Sequence, residues 1–125
     1  MSIFKKCTSC GYEWDKREEL LSDPSIRMVG YQVNTKQLMR GLILFNHKCT
    51  STIAVTVWRF RDLYSGPVYS DFKFGKEECP AYCSDENNLQ PCNVKCHGAF
   101  VREILQIIEF WPKQNRLAKI AFKSN

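Results

Sequence analysis

No long apolar run occurs in this chain. Its longest candidates, Leu42 to Phe45 and Ile104 to Ile108, fall well short of the roughly 18 to 20 residues that span a bilayer, so no membrane helix is expected. No apolar segment follows the opening Met-Ser-Ile-Phe-Lys-Lys, so no signal peptide is expected either, and the chain is assigned to the cytoplasm. A glycine-rich phosphate cradle is missing, as are internal repeats and low-complexity tracts. No catalytic constellation stands out. Glu77-Glu78 and Asp85-Glu86 are sequence neighbours in a polar segment, whereas acid–base carboxylates must converge on a substrate. A non-enzymatic protein without an evident small-molecule substrate is the expectation.

Acids are absent from two stretches. Pro24 to Arg61 carries six basic residues and no acid, and Trp111 to the end carries Lys113, Arg116, Lys119 and Lys123 with none. Between them, Asp62 to Gln90 holds six acids against Lys73 and Lys76. A net charge of +5 distributed in this way suits an anionic partner, or simply solvated faces.

What is present is a core and an unusual number of thiols. With 44% hydrophobic and 13% aromatic residues, the chain can bury a core as one domain, assigned to residues 1–112, with 113–125 as a basic arm. Seven cysteines in a reducing compartment point to metal before disulfides, and the odd count leaves one thiol over from complete pairing.

The fold class predicted is α+β, an antiparallel sheet with one long carboxy-terminal helix packed on it. Asp15 to Leu21 reads as a short helix stopped by Pro24. Ile26 to Val33, Leu42 to Asn46 and Ile53 to Phe60 read as strands, with a bulge at Gly30. A helical turn is predicted at Thr35 to Arg40, and a further strand at Val68 to Phe74. The loop from His47 to Thr52 suits an antiparallel hairpin. Val101, Ile104, Leu105 and Ile108 form a helical stripe within Ala99 to Trp111, which Pro112 ends.

Two sets of residues carry metal-binding chemistry. In Cys7-Thr8-Ser9-Cys10-Gly11 a tight turn aims two sulfurs at one point about 2 Å from each. His47 and Cys49, two apart in an extended segment, point the same way and complete a closed, structural set of three thiolates and one imidazole. The stretch from Cys7 to Asp15 resembles the first knuckle of rubredoxins and zinc-ribbon proteins. The resemblance covers fewer than ten residues, and the second Cys-Pro-x-Cys-Gly knuckle of rubredoxins is absent. It implies knuckle geometry at Cys7 and Cys10 and nothing beyond them.

The second set is Cys79 and Cys83 with Cys92 and Cys96. Each pair is four apart, so on a helix each shares a face, and the second pair lies near the start of the last helix, where thiolate is favoured. Four thiolates there suit zinc or, alternatively, a [4Fe–4S] cluster. His97 could replace one of these cysteines as a ligand, but is expected to pack or cap near the helix start. A haem attachment needs one residue fewer between Cys92 and Cys96, and the Cys-x3-Cys-x2-Cys spacing of radical-SAM enzymes is missing. Twin Cys-x3-Cys pairs also resemble the small helical-hairpin import chaperones of mitochondria, but the strand-rich first half does not fit them.

Two filled centres, of charge −1 and −2, bring the formal +5 down to +2 and weaken nonspecific nucleic-acid binding. The function expected is a zinc-stabilised binding or regulatory module with a protein partner. The alternatives are an iron–sulfur electron carrier, or a nucleic-acid binder that stacks bases on Tyr31, Trp58 and Phe60.

Overall fold

A computed structural model describes residues 3–114. Most of the basic arm expected at 113–125 lies outside them. Within them the protein is a small α+β fold with two antiparallel sheets. The first sheet is a short hairpin, β1 (Lys5–Lys6) with β2 (Glu13–Trp14), whose tip is the Cys7–Tyr12 turn. It is too short to leave a periodic trace in the sequence, and the sequence reading missed it. Helix α1 (Arg17–Ser22) follows and buries Leu20 and Leu21.

The second sheet has the order β3 (Ile26–Gln32), β4 (Leu42–His47), β5 (Thr52–Thr56), all antiparallel. The register shifts between Met28 and Gly30, which is the bulge expected at the glycine. Strand alternation sets one face of β4 inward, with Ile43, Phe45 and His47 all buried. Ile53 and Val55 of β5 pair with Phe45 and Ile43 and extend the same apolar face.

Three expected elements differ. The strand expected over Ile53 to Phe60 ends at Thr56, and Val57–Leu63 winds into 3-10 turns. Val57 and Phe60, three apart, are buried there while Trp58 between them is 58% exposed, so a period of three replaces the period of two. Val68 to Phe74 forms no strand: Gly66-Pro67 leads the chain away from a sheet that offers it no partner, and Phe72 and Phe74 stack on each other at 5.8 Å. The turn expected at Thr35 to Arg40 shrinks to a 3-10 turn at Leu38–Arg40, closed before Gly41.

The carboxy-terminal helix α2 (Ala99–Glu109) is 11 residues, three turns, and not long. It ends before Trp111 because Pro112 supplies no amide to continue it. Its stripe is as expected: Val101, Ile104, Leu105 and Ile108 are buried in the common core with Tyr31, Phe45 and Phe60. The helix lies against the 57–63 turns, with Arg61 over the Phe100 ring at 4.9 Å. After it, Lys113 Nζ and the Gln114 amide donate to the Leu21 and Ser22 carbonyls, which ties the chain back to α1. No helix among the described residues is long and apolar enough to cross a membrane.

Candidate metal centre

The tip of the β1–β2 hairpin faces the loop between β4 and β5. The first turn is closed by the Gly11 amide donating to the Cys7 carbonyl (2.7 Å) and the Cys7 amide donating to the Tyr12 carbonyl (2.8 Å). Gly11 sits at φ +81, a left-handed conformation that favours glycine. The second turn is closed by the Thr50 amide on the His47 carbonyl (2.8 Å) and the His47 amide on the Ser51 carbonyl (3.0 Å). Each turn therefore presents two donors from a hydrogen-bonded frame.

Between the turns, the donor atoms of Cys7, Cys10, His47 and Cys49 all lie within 4.8 Å of one another. Cys7 Sγ and Cys49 Sγ are 3.5 Å apart, and His47 Nδ1 lies 3.6 Å from Cys10 Sγ and 3.3 Å from Cys49 Sγ. A tetrahedral zinc ion with bonds of about 2.3 Å to sulfur and about 2.0 Å to nitrogen sets edges of about 3.8 Å between sulfurs and about 3.5 Å from sulfur to nitrogen. The observed edges match that figure to within a few tenths of an ångström. The Cys3His set can hold a metal ion, and its tight first turn is compatible with a zinc-ribbon-like knuckle.

The surroundings favour charge on sulfur. Ser51 Oγ hydrogen-bonds to Cys7 (3.2 Å) and Cys49 (2.9 Å). The Ser51 hydroxyl and then the Cys10 amide pull the Cys7 thiol down to about 5 from its ordinary 9.0. Ser51, through its hydroxyl and its amide, lowers Cys49 as well. Cys10 moves the other way: the Tyr12 amide lowers it, but burial and the nearby Cys7 and Cys49 sulfurs outweigh that and raise it. Burial lowers His47, yet Cys49 and Cys7 overcome the loss and raise it. Three sulfurs this close resist full ionisation by themselves, and a divalent cation removes that conflict.

Packing holds the imidazole in place. His47 is buried, with Trp14 edge-on at 5.1 Å and Tyr12 at 6.0 Å. Its Nε2 is buried and has no hydrogen-bond partner among the described residues, so Nδ1 is the nitrogen that meets the sulfurs. A metal bond at Nδ1 would leave the proton on this unpartnered Nε2, so packing against Trp14 and Tyr12, rather than a hydrogen bond, orients the ring.

The second set is arranged differently. Cys79, Cys83, Cys92 and Cys96 line one small cavity, but no three of their sulfurs lie within 4.8 Å of one another. The helical pairing expected for them is absent: apart from a 3-10 turn at Tyr82–Ser84, the chain from Tyr64 to Gly98 is irregular. Pro80 holds Cys79 out of helical conformation, and Ala81 follows at φ +64. Cys92 and Cys96 both precede α2. His97 packs as expected, its Nδ1 donating to the Tyr69 carbonyl at 2.7 Å and its ring against Phe100 at 5.8 Å. All seven cysteines are free thiols.

Of the three rings considered for base stacking, Tyr31 and Phe60 are buried and Trp58 alone is exposed. The basic run is also partly committed to the protein itself. Arg59 lies over Phe4 at 4.4 Å and donates to the Phe4 carbonyl, and Arg61 donates to the Tyr64 carbonyl. No family model, curated protein or solved structure matches the chain.

Proposed function

We propose that the chain is a small binding or regulatory module whose fold is stabilised by zinc at Cys7, Cys10, His47 and Cys49, and that it carries out no catalysis. One observation carries this reading: four donors from two facing turns all lie within 4.8 Å of one another, and three of their six separations are 3.3 to 3.6 Å, near the edges of a tetrahedral thiolate–imidazole zinc shell. Four protein donors leave no open coordination position for a substrate, which separates a structural centre from a catalytic one. Cys7 and Cys49 are 42 residues apart in sequence, so the ion joins the amino-terminal hairpin to the main sheet. A two-stranded hairpin is marginal alone, and a metal bond to the neighbouring sheet supplies what its small core does not.

The partner proposed is a protein. Burial of Tyr31 and Phe60 leaves Trp58 as the one exposed ring of the three in the basic run, and a filled centre lowers the net positive charge. Elemental analysis of protein purified without chelator tests the reading. Zinc in at least stoichiometric amount, one equivalent of it lost when Cys7 and Cys10 are both replaced by serine, is the expected result. Natively purified protein that is folded and metal-free overturns it.

A further inference from the structure

The segment from Tyr64 to Gly98 contains the four cysteines that the first centre does not use. It has one 3-10 turn and no strand over its whole length. Loops longer than about 12 to 15 residues without secondary structure are uncommon in compact domains unless function or another constraint holds them. Cys79, Cys83, Cys92 and Cys96 come from different parts of this segment and converge on one cavity, bounded also by Phe72 and Arg102. Its volume is about 20 Å³, room for one water-sized body, which needs roughly 10 to 15 Å³.

Two further observations bear on what belongs there. The first is the direction of the backbone amides. In the Cys3His centre, backbone amides that follow the cysteines favour the thiolate, those of Cys10 and Ser9 at Cys7, of Tyr12 at Cys10 and of Ser51 at Cys49. Around the cavity the Ala81 amide donates to Cys79 Sγ (3.3 Å) and the Gly98 amide to Cys96 Sγ (3.3 Å). Cys96 Sγ also accepts from the Lys73 amide at 3.1 Å. A thiol is a weak acceptor and a thiolate a strong one, so amides gathered on these sulfurs favour the charged form a metal requires.

The second observation is Arg102. It is fully buried, and among the described residues no carboxylate lies within ion-pair distance of it. Its Nε donates to the Gln90 carbonyl (2.9 Å) and its Nη2 to the Asn88 carbonyl (2.6 Å) and Asn88 Oδ1 (3.3 Å). That leaves Nη1, which faces Cys83 Sγ at 4.0 Å. A buried guanidinium needs a counter-charge, and carbonyl oxygens supply only dipoles. Cys83 is the thiol it faces, with the Tyr31 and Tyr82 rings at 5.9 and 5.8 Å, and a thiol gives up its proton more readily than a phenol.

We propose that Cys79, Cys83, Cys92 and Cys96 form a second metal centre that takes a single soft divalent ion, zinc by its donor set, with Arg102 as the buried counter-charge. No three of the four sulfurs lie within 4.8 Å of one another, so the ion must draw them together by rotation about the Cα–Cβ bonds and movement of the irregular backbone. Four thiolates and one divalent ion sum to −2, beside one guanidinium of +1. Each bond forms with loss of the thiol proton to solvent, and no oxidation is involved. A cavity with room for one water-sized body suits one ion, whereas the eight-atom core of a [4Fe–4S] cluster requires the segment to open further. This centre stands independently of the first.

The test is zinc stoichiometry by native mass spectrometry on reduced, anaerobically purified full chain, in parallel with cobalt(II) titration. Two ions per wild-type chain are expected, one remaining in Cys7→Ser/Cys10→Ser and one in Cys92→Ser/Cys96→Ser. The one left in the former carries the absorption of a cobalt tetrathiolate. Alkylation of the wild type, read by peptide mass, guards against a variant that does not fold: Cys79, Cys83, Cys92 and Cys96 are protected in the loaded protein and become reactive after chelation. One ion per chain with these four thiols equally reactive before and after chelation overturns the second centre while leaving the first intact. A brown protein with iron and labile sulfide overturns the single-ion form.

Discussion

His47 Nδ1 and Cys49 Sγ face each other at 3.3 Å across the tip of one hairpin, and the chain turns just after Cys49, at Thr50 with φ +68. The pair is local in sequence and extends the buried face of Ile43 and Phe45 outward to the first hairpin. Replacing His47 by alanine removes one of four donors and leaves a cavity between Trp14 and Tyr12. Zinc affinity is expected to fall sharply, and a metal-loaded His47→Cys variant, which restores a fourth donor, is expected to recover it. Competition with a chromophoric chelator measures both.

Ser51 contacts two of the sulfurs without itself being a donor to the ion. Hydrogen bonds of this kind orient ligands and raise affinity by about 10- to 100-fold. Ser51→Ala is expected to weaken zinc binding within that range while the protein still folds when loaded. An unchanged affinity in the chelator competition would show that the hydroxyl merely fills space.

Metal-free protein should keep one thiolate at unusually low pH. The Cys7 thiol, held near 5 by the Ser51 hydroxyl and the Cys10 amide, is an acid with a depressed value. Its contribution to stability is complete above the ordinary 9.0 and is lost as pH falls to about 5, and Cys49 acts in the same direction. Cys10, shifted upward, contributes no change below its ordinary value. His47 opposes the trend: it is raised, so its contribution is complete below 6.5 and is lost as pH rises through its folded value. Ultraviolet thiolate absorbance of the reduced, metal-free chain should show a step near pH 5 that Cys7→Ser abolishes.

Gly11 separates backbone strain from packing. A Cβ there would meet nothing within 4 Å, so the cost of Gly11→Ala is conformational alone, about 1 kcal/mol for φ near +81. Gly11→Asn should cost less, because asparagine tolerates that region better. Denaturant unfolding of the loaded protein distinguishes them.

Helix α2 provides a matched pair of positions. Ile104 is fully buried in the core, so Ile104→Ala should destabilise by about 2 to 5 kcal/mol. Phe110, just past the helix end, is 78% exposed, and Phe110→Ala should stay within about 0.5 kcal/mol of wild type. Equal effects in thermal or denaturant unfolding would contradict the placement of this helix.

Much of the site is legible because its parts are local. Cys7, Cys10 and Gly11 occupy one turn, and His47 and Cys49 another, so spacing alone announces two pairs of donors. Alternation along Leu42 to His47 also announces which way His47 points. The extent of the strand after Thr52 was not legible, because Val57 to Phe60 is apolar and aromatic whether its period is two or three. Only burial of Val57 and Phe60, with Trp58 turned out, distinguishes the cases. Arg102 gave no signal either: on the helical wheel it reads as a solvated charge, and its burial depends on carbonyls at Asn88 and Gln90.

By itself the amino-acid order determined the short-range features: the glycine-stopped thiol turn, the β-branched strands, the bulge at Gly30 and the apolar stripe of α2. These follow from steric preferences and periodicities that act over a few residues. Which turn meets which was decided only in three dimensions, since Cys7 and Cys49 stand 42 positions apart and their approach depends on how the two hairpins pack. The same holds for the irregular 64–98 stretch, whose four cysteines have no regular period to align them and converge only where the core and α2 leave them a common cavity.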